Sequence, residues 1–165
     1  MHPLRFGVLT ISDRSAKGER LDASGPALEG QVRSNGWEVA RSAIIPDDLH
    51  VIQDTLAGWA DSGEMDVILT TGGTGFSPRD VTPEATRAVL TREAPGLAEA
   101  MRSASLRVTP HGMLSRAVTG IRGQVLIINF PGSPKAALEN LSIVLPVLPH
   151  AVQLLCQDPQ AEKGH

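Results

Sequence analysis

The sequence is poor in aromatic residues and in cysteine, and both shortages exclude classes of protein. Aromatic side chains make up 3% of its 165 residues, and tyrosine is absent. Domains that bind RNA or single-stranded DNA stack bases on aromatic rings, so the chain lacks the material for such a surface. The only cysteine, Cys156, excludes an internal disulfide and a cysteine-rich zinc site. Its apolar neighbours predict a buried thiol, in a protein of a reducing compartment.

The chain also lacks an excess of positive charge. Its 15 lysines and arginines against 18 acidic residues give a formal net charge of −3, which disfavours nucleic acid and anionic membranes as partners. The amino-terminal segment does not have the pattern of a signal peptide. We also expect no apolar run of the roughly 20 residues that a membrane span needs. These observations predict a cytoplasmic protein with no nucleic acid and no membrane as partners.

Short apolar runs rich in branched residues alternate with amphipathic stretches along the chain. The runs at 6–11, 37–45, 67–71 and 125–130 predict strands. The stretches at about 26–34, 52–60, 83–90, 97–106 and 134–155 predict helices, with Pro146 and Pro149 breaking the last one in two. This alternation is typical of a three-layer α/β/α domain with a mainly parallel central sheet. We expect a single domain over 1–156 and a polar tail over 157–165.

A glycine-rich turn follows the third apolar run. Gly72, Gly73 and Gly75 keep side chains away from the backbone amides, which suits either a phosphate-binding loop or a tight strand-to-helix turn. The P-loop fingerprint is absent, and Pro78 occupies the third glycine position of the dinucleotide-binding fingerprint. The sequence disfavours those two classes and leaves the phosphate loop and the plain turn as alternatives.

Two carboxylates follow neighbouring strands of the predicted sheet. Asp80 precedes a helix start in which Thr82 can be the cap and Pro83 the first helical residue, so Asp80 is either a solvated side chain or a ligand. Asp47 is ambiguous because either it or Asp48 can cap the helix that follows. Carboxylates repel phosphate oxygens unless a cation lies between them, so the pair beside the glycine turn predicts nucleotide chemistry with Mg²⁺.

The glycine turn belongs to a longer, ordered set of motifs. They are Thr70-Thr71-Gly72-Gly73-Thr74-Gly75, its continuation over 77–86, and the segments 11–14, 45–48, 114–117 and 129–135. Over about residues 4–155 this set resembles the molybdenum-cofactor biosynthesis family, in its adenylyltransferase branch. The resemblance implies a three-layer α/β fold, a homotrimer, and a reaction that transfers AMP from Mg-ATP to the terminal phosphate of molybdopterin and releases pyrophosphate.

The resemblance also implies roles for individual residues. It makes Asp47 and Asp80 the catalytic carboxylates, acting through Mg²⁺, with ATP as co-substrate and a molybdate-inserting protein as a partner. The implied nucleotide-binding residues are Thr71, Gly72, Gly73, Thr74 and Gly75. The implied molybdopterin-binding residues are Ser12, Asp13, Ser115, Arg116, Asn129, Gly132, Ser133 and Lys135.

Two alternatives to this enzyme remain at the level of sequence. One is a non-catalytic molybdopterin-binding or scaffold member of the same family, which the presence of both Asp47 and Asp80 disfavours. The other is a domain of a molybdate-inserting protein, which we expect to lie within a much longer chain. A related branch keeps the glycine turn without the continuation at 77–83, and this chain has that continuation.

Overall fold

Six strands form one sheet in the computed structural model, which describes residues 2–159 and 161. Across the sheet the order is β2-β1-β3-β6-β5-β4. Neighbours among β2, β1, β3 and β6 pair in parallel, whereas β5 and β4 are antiparallel additions at one edge. The mainly parallel sheet is therefore confirmed. The strands are β1 (Arg5–Ile11), β2 (Glu38–Ile45), β3 (Val67–Thr71), β4 (Arg92–Glu93), β5 (Thr119–Arg122) and β6 (Val125–Phe130).

Helices connect the parallel strands, and the predicted break near the carboxyl terminus is present. Helix α6 ends at Val144, a 3-10 turn follows over Leu145–Val147, and α7 begins at Leu148. Pro146 lies in that turn, where its missing N–H interrupts the α-helical ladder. The helices are α1 (Asp13–Ala16), α2 (Ser24–Ser34), α3 (Leu49–Asp61), α4 (Thr82–Val89), α5 (Pro95–Leu106), α6 (Pro134–Val144) and α7 (Leu148–Leu155), with a further 3-10 turn over Pro110–Leu114.

The sheet is buried between two helical layers, each with its own apolar cluster. Because side chains alternate along a strand, Val67 and Leu69 of β3 face one layer and Ile68 faces the other. Helices α2, α5, α6 and α7 cover the first face, and α3 and α4 cover the second. The three-layer α/β/α architecture is confirmed.

The stretch Pro134–Leu155 is long and apolar, and part of it packs in the core. By length and composition alone it could span a membrane, with a mean hydropathy of 1.3, so the expectation that no run reaches this length is wrong. The 3-10 turn interrupts it, and Leu141, Leu148 and Val152 pack in the core beside the sheet. These contacts place one side of the helix pair α6 and α7 in the core.

Two further predictions at this end of the chain have different outcomes. Cys156 is exposed, so its predicted burial is wrong: it follows the last residue of α7, beyond the face that Val152 buries. Of the predicted tail, the structure describes 157–159 and Ala161, which is buried. Residue 160 and residues 162–165 lie outside the described part of the chain.

Candidate active site

The candidate site lies at the carboxyl ends of β1, β3 and β6. The chain leaves β1 for β2 on one side and then crosses to β3 on the other, so the direction of winding reverses between β1 and β3. Loops that follow strands on either side of such a reversal diverge and leave a crevice where ligands bind. Two cavities open at this place.

The first, which we name the acidic cavity, has a volume of about 540 Å³. Its charged side chains are Arg20, Asp22, Asp47 and Asp80. The other predicted site residues that line it are Ser12, Thr71, Gly72, Gly73, Gly132 and Ser133.

The second, which we name the α5–α6 cavity, has a volume of about 460 Å³. Its wall is built by the end of α5, the 3-10 turn Pro110–Leu114 and the start of α6, and it combines apolar groups with hydroxyls. The two cavities share Gly73, Asp80 and Gly132, so they meet at the glycine turn. The other predicted site residues that line it are Thr74, Gly75 and Ser115.

Thr82 closes the glycine turn with two hydrogen bonds. Gly72 and Gly73 have φ values of 104° and 69°, a region that side chains disfavour. The Thr82 hydroxyl donates to the carbonyl of Gly72 at 2.9 Å, and its N–H donates to the carbonyl of Gly73 at 3.1 Å. Thr82 is thus the first residue of α4 and does not cap it, which corrects the prediction; Val81 is at the cap position.

Backbone amides beside both cavities lack protein acceptors. Within the described residues, the N–H groups of Gly73, Thr74 and Gly75 donate no hydrogen bond. Those of Gly132 and Ser133 donate none either, at the point where Ser133 caps α6 by accepting from Ala136 N at 3.4 Å. Free amides at a helix amino terminus are a favourable environment for an anion. This geometry favours the phosphate loop over the plain turn.

The ambiguity between the two adjacent aspartates is resolved by helix α3. Asp48 caps it, since its Oδ1 accepts from Val51 N at 3.0 Å. Asp47 is released from capping and lines the acidic cavity. It is tied to Asp13 by two hydrogen bonds of 3.0 Å, in which each backbone N–H donates to the other residue's carboxylate.

Asp13 orients this pair and does not line either cavity. The Arg79 guanidinium donates to its two carboxylate oxygens, from Nε at 3.0 Å and from Nη2 at 3.1 Å. That bond lowers the pKa of Asp13. Burial raises the pKa of Asp47, and the negative charges of Asp13 and Asp80 raise it further. Asp13 is therefore placed to position Asp47, and its predicted contact with substrate is not supported.

Asp80 is at the junction of the two cavities. Its Oδ2 accepts from Ser77 N at 3.0 Å, within the loop that follows the glycine turn. A Cβ on Gly75 would lie 2.9 Å from the same oxygen, so a side chain at position 75 would displace the Asp80 carboxylate from this place. Asp80 and Asp47 thus line one cavity from two different loops.

The donor set fits Mg²⁺ only together with a bound phosphate. The described residues contain no group of three or more His, Cys, Asp or Glu side chains arranged to hold a metal ion. Mg²⁺ is usually bound by one or two carboxylates with oxygens of the substrate phosphates and water. Asp47 and Asp80 in the acidic cavity match that requirement.

The side chain of Asn129 is occupied by protein partners, and its predicted contact with substrate remains a prediction. The side chain is fully buried. Its Nδ2 donates to the hydroxyls of Thr70 and Thr86, each at 3.0 Å, and its Oδ1 accepts from Val118 N at 3.1 Å. Asn129 joins β3, α4 and the strand region before β5.

Arg116 braces the loop around Asp80 and is absent from both cavity walls. Its Nε donates to the carbonyl of Gly75 at 2.8 Å and its Nη2 to the carbonyl of Asp80 at 2.7 Å, while Nη1 pairs with Glu84. These bonds give Arg116 a positioning role, and its predicted contact with molybdopterin remains a prediction. Lys135 is exposed, and its Nζ lies 4.0 Å from Glu139 Oε1. It lines neither cavity, so its predicted contact with molybdopterin is not supported.

Sequence reasoning missed two charged residues of the acidic cavity, Arg20 and Asp22. The carboxylate of Asp22 accepts from the Thr10 hydroxyl at 2.7 Å and from Gly25 N at 3.1 Å, which ties the segment before α2 to the end of β1. The signal available was an aspartate shortly before a helix start. The segment falls between two predicted elements, so its approach to β1 was not evident.

Known proteins are similar to this chain in sequence and in fold. The family model described as "Probable molybdopterin binding domain" matches residues 7–150. The crystal structure of the molybdopterin biosynthesis enzyme MoaB from Thermus thermophilus has a TM-score of 0.88 and 51% identity, covering 94% of this chain and 98% of that one.

Two curated relatives differ greatly in length. The molybdopterin adenylyltransferase of Helicobacter pylori (strain J99) is 40% identical over 158 residues, covering 94% of this chain and 89% of its own length. Gephyrin of Dictyostelium discoideum is 43% identical over 165 residues, covering 94% of this chain, but the chain spans only 23% of gephyrin. Chain length therefore does not separate the alternatives weighed above. The resemblance is confirmed, and the chain belongs to the probable molybdopterin binding domain family.

Proposed function

We propose that this protein is a molybdopterin adenylyltransferase of molybdenum cofactor biosynthesis, which transfers AMP from ATP to the terminal phosphate of molybdopterin and releases pyrophosphate. The relatives that carry this name support a role in the pathway. One observation carries the proposal: two cavities that meet at Gly73, Asp80 and Gly132 can hold two phosphorylated molecules with their phosphates in contact.

The acidic cavity is the proposed nucleotide site. A triphosphate cannot approach Asp47 and Asp80 unless its charge is neutralised, and these two carboxylates are the ones that would hold Mg²⁺. When bound, Mg²⁺ would supply positive charge to the phosphates as negative charge moves onto the leaving pyrophosphate. The free amides of Gly73 and Gly132 lie at the same junction and would bind the transferred phosphoryl group.

The α5–α6 cavity is the proposed molybdopterin site. Val108, Leu114 and Pro131 provide apolar walls for a ring system, and the side chains of Thr109 and Ser115 provide hydrogen-bonding groups. A molecule held there would direct its phosphate towards Gly73 and Asp80, which the acidic cavity shares.

The reaction needs no general base. A phosphate monoester has a second pKa of about 6, so its oxygen is largely ionised at neutral pH. That oxygen would attack the α-phosphorus of ATP, forming a new P–O bond while the bond to the bridging oxygen breaks. The pyrophosphate leaves with the electron pair. Catalysis then depends on orientation and on charge neutralisation at the junction.

The test is incubation of the purified protein with ATP, Mg²⁺ and purified molybdopterin. We expect an adenylylated pterin on chromatography, with one pyrophosphate released for each product molecule. Omission of molybdopterin is the control for ATP hydrolysis. A protein that binds molybdopterin and forms no product would instead be the non-catalytic family member.

Three further expectations remain predictions. The homotrimer and a molybdate-inserting protein as the partner that receives the product are implied by the family resemblance, whereas the cytoplasmic location is predicted from composition. Sedimentation of the purified protein tests the homotrimer.

A further inference from the structure

Arg20 is the only lysine or arginine among the described residues that line the two cavities. It lies in the segment between α1 and α2 and is exposed at the wall of the acidic cavity. The other charged side chains of that wall are Asp22, Asp47 and Asp80. A polyanion in this cavity therefore has a single fixed cationic side chain available to it.

The charge of Arg20 is not neutralised by the protein. In the described part of the chain its guanidinium forms no ion pair, and its hydrogen bond is a long one of 3.5 Å from Nη2 to the hydroxyl of Ser12. The arginines nearest the loop around Asp80 are different, since Arg79 pairs with Asp13 and Arg116 pairs with Glu84. Arg20 can exchange its weak contact for a ligand at little cost.

The geometry of phosphoryl transfer places the leaving group on Arg20's side. The attacking and leaving oxygens lie roughly in line across the transferred phosphorus. If the attacking phosphate comes from the α5–α6 cavity, the pyrophosphate must lie opposite, deeper along the acidic cavity. Arg20 lines only the acidic cavity, whereas Asp80 lines both.

We propose that Arg20 binds the β- and γ-phosphates of the nucleotide and the pyrophosphate that leaves, and so makes the site selective for nucleoside triphosphates over monophosphates. The inference rests on the proposed function. A guanidinium matches phosphate oxygens in a two-pronged hydrogen bond, which a lysine cannot reproduce. The amides at the junction would bind AMP and ATP alike, so the preference for the triphosphate depends on Arg20.

The experiment is calorimetry with ATP, AMP and inorganic pyrophosphate, each with Mg²⁺, on wild type and Arg20→Gln. We expect the variant to bind ATP and pyrophosphate about tenfold more weakly and AMP nearly as well as wild type. Arg20→Lys should recover part of the loss. Arg14→Gln is the matched control, because Arg14 is an exposed residue of α1 that lines neither cavity and carries the same charge.

Each other result overturns the inference. Unchanged binding of ATP and pyrophosphate by Arg20→Gln would show that Arg20 does not contact them. An equal loss of ATP and AMP affinity would show a role unrelated to the outer phosphates, as would an equal effect of Arg14→Gln. If the wild-type protein binds no ATP, the proposed function fails as well; if it binds ATP and only the variant pattern is wrong, the proposed function stands.

Discussion

Asp80 is the carboxylate that lies where the two proposed substrates meet, and its neighbours show how a single residue is positioned there. The N–H of Ser77 fixes its carboxylate, and Arg116 fixes its carbonyl. The absence of a side chain on Gly75 leaves room for its Oδ2. Substitution of these residues therefore tests the arrangement around Asp80.

We expect Asp80→Asn to lower adenylyl transfer by about a hundredfold or more, because it removes a charge that would hold Mg²⁺ near the reacting phosphate. Molybdopterin binding should change little, since an amide oxygen can still accept from Ser77. Single-turnover rates and calorimetry measure the two effects. Asp48→Asn is the control, because asparagine is also a good helix cap. A loss of pterin affinity as large as the loss of rate would contradict the assignment.

Arg116→Ala should destabilise the protein and weaken the binding of both substrates, because the loop that Arg116 braces contributes to both cavities. Loss of its bonds to the carbonyls of Gly75 and Asp80 should lower the free energy of unfolding by about 2–3 kcal/mol. Urea denaturation measures this. Arg87→Ala, which removes an exposed ion pair with Glu93, should cost about 1 kcal/mol or less. Loss of molybdopterin binding alone would restore the direct contact predicted from sequence.

At the scale of elements, two adjacent aspartates at the junction of β2 with α3 have different surroundings. Asp48 caps α3, whereas Asp47 lines the acidic cavity. The glycine turn between β3 and α4 has a similar division, with Thr82 closing the turn and the amides of Gly73 and Gly75 left for a ligand.

We expect Asp48→Ala to lower the free energy of unfolding by about 1 kcal/mol and to leave the rate unchanged, since it removes only the cap. Asp47→Asn should lower the rate and leave the free energy of unfolding nearly unchanged, because the amide oxygen can still accept from Asp13 N but carries no charge. Thermal denaturation and product formation, measured on both variants, check this exchange. A large loss of rate in Asp48→Ala would assign the two aspartates the other way round.

Gly73→Ala should lower the free energy of unfolding by at least about 1–2 kcal/mol, because φ is 69° and a Cβ would contact the hydroxyl of Thr82 and lie 3.0 Å from Asp47 Oδ1. The space beside the Gly73 Cα is thus occupied by protein. Gly30→Ala is the control. It lies within α2 with no atom near its added Cβ, and should stabilise by about 0.5–1 kcal/mol.

At the scale of the whole molecule, exposed ion pairs connect elements that are distant in sequence. Arg122 of β5 donates to Asp61 at the end of α3, from Nε at 3.0 Å and from Nη2 at 2.8 Å. It also donates to the carbonyl of Val89 in α4 at 2.8 Å. The hydrogen bond from Arg122 lowers the pKa of Asp61.

A carboxyl with a lowered pKa in the folded protein stabilises it above the unfolded value of about 3.9, and this contribution is lost as pH falls through the folded value. We therefore expect Asp61→Asn to destabilise the protein at neutral pH and to differ less from wild type in acid. Urea denaturation from about pH 6 to about pH 3 measures the convergence. Asp54→Asn, on the same helix and with no ion pair in the described chain, should show no such trend. Identical curves for the two variants would contradict the prediction.

Local pattern was sufficient where a segment is buried on both faces or carries a strong turn signal. The predicted bounds of β3 and β6 equal the observed ones, because central parallel strands are continuous apolar runs. The antiparallel strands β4 and β5 were missed, since they have two and four residues and no such run. The glycine turn, Asp47 and Asp80 were found because they directly follow predicted strands.

The sequence by itself determined the fold class, the family and the edge of the sheet where the candidate site lies, since all three depend on residues close together in the chain. The tertiary structure alone decided which polar groups are consumed by the protein. Asn129 and Arg116 bond to partners up to 59 positions away, whereas Arg20 lines the acidic cavity and forms no ion pair within the described part of the chain. A side chain's free hydrogen-bonding capacity depends on partners that only folding brings near, and no local pattern records it.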